Sequence, residues 1–310
     1  YRTFKAASVV QERRGRSIWI QLGWLYLDTM AVIEKLGNGP DERRVILRVD
    51  DLETLRRVVN ECGSRLAGLV TEAPSNPLIQ IPDLATVNAW IHEAGGLMIV
   101  DPSVASAFNV DVLPYADLVA TSQTKYTAWD GDVIAGAILV AQDCPERDAV
   151  IEDLTTRTAP LYHRDAARLA FQVKRAPAIT RTINDQTRRV AAFLEQHPSV
   201  RRVFWAEAPD QADSFRRVLR PDGGPGALIT FDLVGPLEDF YDRVALPKGP
   251  SFGITTTLIC PFLYLAHYDL VSTDQGRNYL QANRLNPELV RLSVGTEPLE
   301  DLLAALDAAL

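Results

Sequence analysis

Between Gly68 and Val140 short, continuously apolar runs alternate with a helical stretch, and few architectures accept that pattern. A strand with one face in water alternates apolar and polar residues, whereas a strand covered on both faces reads as an unbroken apolar run. Gly68-Leu-Val-Thr-Glu72 and Gly96-Leu-Met-Ile-Val-Asp101 are of the second kind. Between them Pro82-Asp83 offers a helix start with Asp83 as N-cap. Apolar residues recur at Leu84, Val87, Trp90 and Ile91, and Gly95-Gly96 closes the helix. This is a βαβ crossover, so the sheet is parallel and carries helices on its faces. Asp117–Thr121 and Val133–Val140 read as two further strands covered on both sides.

Beyond Cys144 the sequence becomes charged and helix-favouring, with no strand before Val200. A helical connector there predicts a boundary near residue 160. Residues 1–160 form a three-layer αβα domain with a mostly parallel sheet, and residues 161–310 a smaller α+β domain. The second part is expected to hold a helix over 185–196, strands at Val200–Phe204, Ala227–Phe231 and Leu289–Ser293, and a closing helix from Pro298 to about Leu310. A length of 310 residues suits roughly two domains. With 47% hydrophobic and 23% charged residues the chain carries enough apolar mass for a sizeable core.

The formal charge of −8 argues against nucleic acid as a partner, since phosphate contacts need a basic face. No apolar run reaches the length of a membrane-spanning helix, and the start resembles no signal peptide, so a cytoplasmic location is expected. Cys62, Cys144 and Cys260 are odd in number and widely spaced, which predicts reduced thiols. His92, His163, His197 and His267 show no metal-ligand spacing, and no metal is expected.

Two motifs mislead. Gly249-Pro-Ser-Phe-Gly253 spells a hydrolase nucleophile elbow, but Pro247 and Pro250 break any strand before it and the Thr-rich 254–258 run after it disfavours a helix. Ser122-Gln-Thr-Lys125 spells a serine-acylase motif without its Ser-Asp-Asn and Lys-Thr-Gly companions.

What remains is a polar set at the carboxyl ends of the strands, where open α/β sheets bind ligands. Asn76 follows the first strand, Asp101 ends the second, and Ser122, Thr124 and Lys125 follow the third. A carboxylate behind an apolar strand is costly to desolvate unless a cation such as a protonated pyridine meets it. Ser122 and Thr124, two residues apart on extended chain, point the same way and can donate to one phosphate. Lys125 can bond covalently to an aldehyde beside them. The three features together fit pyridoxal 5'-phosphate; singly, an Asp ending a strand is more often a loop cap or helix N-cap, and a Lys after a strand is usually a solvated surface charge.

The run Glu72-Ala-Pro-Ser-Asn-Pro-Leu78, then Pro82-Asp83, Ile99-Val-Asp101 and Ser122-Gln-Thr-Lys-Tyr126 resembles, in order and spacing, the cofactor domain of the Cys/Met-metabolism pyridoxal phosphate enzymes. Leu289-Val-Arg-Leu-Ser-Val-Gly295 with Glu297 resembles that family's carboxylate-binding strand, and Ser251-Phe-Gly253 with Thr257-Leu258 its Ser-Leu-Gly segment. The resemblance implies the aminotransferase-like fold and a set of roles. Lys125 holds the cofactor, Asp101 pairs with the pyridine nitrogen, Ser122 and Thr124 bind phosphate, and Asn76 lies near the ring hydroxyl. Arg291 forks onto the substrate carboxylate with Ser251 beside it. Tyr26, in Tyr26-Leu-Asp-Thr29, matches the tyrosine that stacks on the cofactor in the family's Tyr-Gly-Gly-Thr turn, the alternative being an ordinary buried aromatic.

The chain departs from the family at Leu27-Asp28, where glycines are usual, at Asp101-Pro-Ser103, where Asp-Asn-Thr is usual, and around Ala176–Thr180, where the family has Gly-Leu-Lys-Thr-Leu. The family's Gly-Met phosphate turn and N-terminal arm are not found before Tyr1, so a chain starting at Tyr1 is expected to bind cofactor weakly. The implied activity is γ-replacement or γ-elimination on an O-acylhomoserine or sulfur amino acid, as in methionine biosynthesis by transsulfuration, within a homodimer or homotetramer. A β-lyase, another pyridoxal phosphate reaction and a non-catalytic homologue are the alternatives.

Overall fold

The computed structural model describes residues 1–36 and 39–310. Helix α1 (Arg2–Arg13) leads into strand β1 (Ile18–Leu22), helix α2 (Leu27–Leu36), strand β2 (Arg43–Ile46) and helix α3 (Leu52–Cys62). Then come β3 (Leu66–Glu72), α4 (Leu84–Glu93), β4 (Leu97–Asp101), β5 (Leu118–Ser122) and β6 (Gly136–Val140). The six strands lie in the order β2-β1-β3-β4-β5-β6, parallel except for β6, which runs antiparallel to β5.

Successive side chains of a strand face opposite sides, and the two cores follow that rule. Ile18, Ile20, Leu22, Met98 and Val100 pack with α3 and α4, while Trp19, Leu97, Ile99 and Leu118 pack with α1, Ile33 of α2 and Val150. The three-layer αβα arrangement is therefore present. Asp83 caps α4 as its position in the sequence predicts, accepting from the Thr86 amide.

Val133–Val140 was expected to be covered on both faces, and here the structure differs. The strand begins at Gly136, forms the edge of the sheet, and leaves Leu139 41% exposed. Its unbroken apolar run reads as a central strand, but it is the last in the order, and among the described residues no strand pairs beyond it. Strands β1 and β2 add to those expected; β2 opens with two arginines, which suits the opposite edge.

Helices α5 (Arg147–Arg157), α6 (His163–Gln172) and α7 (Ala176–Gln196) form the connector. The helix expected over 185–196 starts nine residues earlier. Pro177 sits in its first turn, where a missing N–H costs nothing. Along α7, Ile183 packs into the core of the large sheet and Val190, Ala191 and Leu194 into that of the second sheet, so one helix serves both. The second sheet is antiparallel, in the order β7-β8-β10-β9, from β7 (Val200–Phe204), β8 (Leu228–Leu233), β9 (Leu258–Pro261) and β10 (Val290–Ser293). Strand β9 was not expected, because only four residues separate its bends from the helical run after Pro261. A closing helix spans Leu299–Asp307. Among the described residues no helix is long and apolar enough to cross a membrane.

The two sheets are tied by a buried amide pair. Asn184 of α7 donates to Asn109 Oδ1 at 2.8 Å, and Asn109 returns a bond to Asn184 Oδ1 at 3.1 Å. The same oxygens accept from the amides of Gly224 and Gly226, both at 3.0 Å. Asn184→Leu strands the Gly226 amide and takes two bonds from Asn109, which keeps only the Gly224 amide and the Ala105 carbonyl, so it is expected to lower unfolding free energy by about 2–4 kcal/mol in urea titration.

Candidate active site

The carboxyl ends of β3, β4 and β5 lie side by side, so residues far apart in sequence converge there. Lys125 follows β5 and opens a turn of 3-10 helix at Tyr126–Ala128. Its Nζ donates to Ser251 Oγ at 3.2 Å and lies 4.7 Å from the Phe252 ring centroid. Burial, and then the nearby charge of Arg291, lower the pKa of this ammonium from its ordinary value. A neutral amine capable of attack is favoured by both effects.

Arg291 enters from β10 and is 3% exposed. Nη1 donates to Asn76 Oδ1 at 3.2 Å and Nη2 to the carbonyl of Pro250. The guanidinium faces the Phe262 ring at 4.7 Å and the Phe252 ring at 5.7 Å. Among the described residues no carboxylate pairs with it. A buried guanidinium held by two neutral oxygens is costly unless an anion arrives, which is what a carboxylate-binding site provides.

Asp101 ends β4. Its Oδ1 accepts from the Ser103 amide at 2.8 Å, and Ser103 Oγ accepts from the Ser122 amide at 2.7 Å. Asp101 thus does cap a turn, with its other oxygen making no hydrogen bond among the described residues. Burial raises its pKa, and the Ser103 contacts oppose the shift. Ser103, not singled out from the sequence, is the link between the Asp101 and Ser122 strands. The Asp-x-Ser spacing of an Asx turn is the signal that would have found it.

Tyr26 stands at the start of α2 and is 56% exposed, which overturns the reading of an ordinary buried aromatic. It lines a cavity of about 280 Å³ together with Glu72, Asp101 and Ala120. Thr124 is placed less simply. Its Oγ1 accepts from the Ala135 amide at 3.0 Å and donates to the Ala135 carbonyl at 3.3 Å. A phosphate contact requires this hydroxyl to turn from that carbonyl, whereas the Ser122 hydroxyl has no partner among the described residues.

Two struts hold the Ser251 segment against Lys125. Tyr126, 2% exposed, donates to the Val104 carbonyl at 2.6 Å and accepts from the Ala227 amide at 2.8 Å. Its ring leaves room only for glycine at Gly253, where a Cβ would stand 2.8 Å away and φ is +70°. Glu297 accepts from the Thr257 amide at 2.6 Å and its hydroxyl at 2.7 Å, pinning the segment to the exit of β10. The elbow and acylase motifs form no such sites: neither Ser251 nor Ser122 opens an α-helix.

The residues present fit pyridoxal phosphate. A buried acid, a desolvated amine, a partnerless hydroxyl and an unpaired guanidinium match its ring nitrogen, aldehyde, phosphate and the carboxylate of an amino acid. A family model described as Cys/Met metabolism PLP-dependent enzyme matches residues 14–310. An L-2-amino-4-chloropent-4-enoate dechlorinase/desaturase of Streptantibioticus cattleyicolor is 40% identical over 293 residues, covering 94% of this chain and 58% of that protein. A cystathionine γ-synthase of Neurospora crassa is 28% identical over 302 residues, covering 94% and 46%. The chain thus spans about half the length of these curated relatives. The solved structure of a cystathionine γ-lyase of Micromonospora echinospora shares the fold with a TM-score of 0.83 at 24% identity, covering 100% of this chain and 80% of that one.

Proposed function

Because this chain belongs to the Cys/Met metabolism family of pyridoxal phosphate-dependent enzymes, we propose that it eliminates or replaces a substituent on the γ carbon of an amino acid such as an O-acylhomoserine or a sulfur amino acid. Residues 1–160 supply the cofactor half of the site and residues 161–310 the carboxylate half. The observation that carries the reading is Arg291, a buried cation with no acidic partner among the described residues, set close enough to Lys125 to depress its pKa. An α-carboxylate bound there places the α carbon within reach of the lysine. The relatives agree on where bonds change: the dechlorinase is named for an amino acid with chlorine on carbon 4, the γ carbon, and the synthases for cystathionine γ-synthesis.

The chain's residues divide the work. Arg291, whose Nη1 donates to Asn76 Oδ1, orients the substrate carboxylate and so aligns the bonds at the α carbon, and Asn76 lies near the ring hydroxyl. Asp101 provides the anion that keeps the ring nitrogen protonated, and Ser122, with Thr124, binds the phosphate. When bound, pyridoxal phosphate supplies an electron sink for negative charge at the α carbon. Lys125 Nζ removes the α proton and delivers it further along the side chain, aimed by its bond to Ser251. Tyr26 stacks on the ring from the mouth of the cavity.

The protein is expected to release keto acid or halide from a panel of O-acetylhomoserine, O-succinylhomoserine, cystathionine, methionine and 2-amino-4-chloropent-4-enoate. Turnover confined to amino acids with a β leaving group would replace this reading with that of a β-lyase. The same reading takes the chain as a subunit of a dimer or tetramer, supported by exposed Leu161, Tyr162, Phe171 and Val173 in and beside α6. A single-chain mass by light scattering would remove that part.

A further inference from the structure

Of the two acids that end β3 and β4, only Asp101 has a part in the proposed chemistry. Glu72 ends β3 and Asp101 ends β4, and the parallel register sets them directly opposite each other. Glu72 is 4% exposed, and its one hydrogen bond is accepted from the backbone N–H of Tyr26 at 2.5 Å. The Tyr26 carbonyl in turn accepts from the amides of Thr29 and Met30, so this residue is also the first link of α2. Among the described residues no cationic group forms a salt bridge with either acid.

Two neighbouring carboxyl groups in an apolar setting cannot both ionise cheaply, and one retains its proton. A cationic ring nitrogen can neutralise only one of them. Asp101 has the Ser103 amide to favour its anion and an oxygen left for the ring. Glu72 is the partner that stays neutral: burial, and then the Asp101 charge, push its pKa well up, against a smaller opposing effect from the Tyr26 amide. The other titratable side chains on this cavity are Tyr1 beside α1 and Tyr26 and Asp28 at the start of α2.

We propose that Glu72 is a positioning residue of the cofactor site, an uncharged acid whose carbonyl oxygen holds the Tyr26 peptide and so sets the Tyr26 ring relative to Asp101. The inference rests on the proposed placement of pyridoxal phosphate between Tyr26 and Asp101. Among the described residues no other hydrogen bond ties the head of α2 to the end of β3. The negative charge facing the ring nitrogen then comes from Asp101 alone.

Glu72→Gln preserves the carbonyl acceptor and is always neutral; Glu72→Leu keeps the bulk and removes the acceptor. In the intact protein loaded with pyridoxal phosphate, Glu72→Gln is expected to keep the visible circular dichroism of the bound cofactor and a dissociation constant within about threefold of the parent. Glu72→Leu is expected to change that dichroism and weaken retention about tenfold, the loss of one charge-neutral but buried hydrogen bond. Without cofactor the signs differ. A raised pKa in the fold means that the stability Glu72 contributes is complete below the ordinary glutamate range and is lost as pH rises through the raised value. Glu72→Gln escapes that loss, so it should melt above the parent at pH 8, with the gap closing toward about pH 4.5. Equal behaviour of Gln and Leu variants, a parent-like Leu variant, or a Gln variant that melts below the parent at pH 8 would each overturn the proposal. A parent protein with no borohydride-reducible band at all would instead sink the cofactor placement on which it stands.

Discussion

Lys125→Ala is expected to abolish the visible, borohydride-reducible band of the cofactor-loaded protein and to lower turnover by about 10⁴-fold, the upper end of what a positioned base contributes. The loss is this large because, on the proposed reading, one nitrogen serves two purposes, anchoring the cofactor and moving the proton. Among the described residues no second lysine lies against Ser251 and Phe252 to replace it. Spectra before and after borohydride, read beside the rate, check both purposes. A reducible band that survives in Lys125→Ala would show that another amine holds the cofactor and would move the site.

Arg291→Ala is expected to raise KM far more than it lowers kcat. Charge-assisted hydrogen bonds are worth about 1.5–3 kcal/mol each, and losing a two-pronged contact costs about 3–4 kcal/mol, or 10²- to 10³-fold in kcat/KM. Arg291→Lys should recover only part, since a point charge does not reproduce the fork. The fold should tolerate the alanine better than burial alone suggests, because the guanidinium has no carboxylate to leave uncompensated. Lys125 supplies a second readout. The charge of Arg291 lowers the pKa of Lys125, so its removal raises that pKa and moves covalent cofactor attachment to apoprotein toward higher pH. An unchanged KM, or a shift of that profile to lower pH, would refute the placement of Arg291 beside the amine.

Local rules made much of this protein legible. Strands β3, β4 and β5 were visible because covered strands need no polar alternation, and α4 because Asp83 and Gly95-Gly96 punctuate it. The polar residues at the ends of those strands followed from the same pattern, because a parallel sheet gathers its carboxyl ends on one edge. Edges were harder. The apolar run of β6 looks like that of a central strand, and only the order of strands puts it at the edge of the sheet. Strand β9 is four residues long, too short for a period to show.

By itself, the sequence determined the fold class, the family and the residue types of the chemistry, since each rests on short-range spacing: apolar runs, caps, and motifs such as Ser122-Gln-Thr-Lys125. Contacts across 19 to more than 200 residues were decided by the tertiary structure alone. Arg291 meets Asn76, Lys125 meets Ser251, and Ser103 bridges Asp101 to Ser122 because strand order and the path of α7 bring them together. Burial was decided there too. An aspartate, a glutamate and an arginine are ordinary solvated charges in a sequence; the proposed roles of ring-facing anion, neutral acid and anion receptor arise only where packing removes the water that would otherwise screen them.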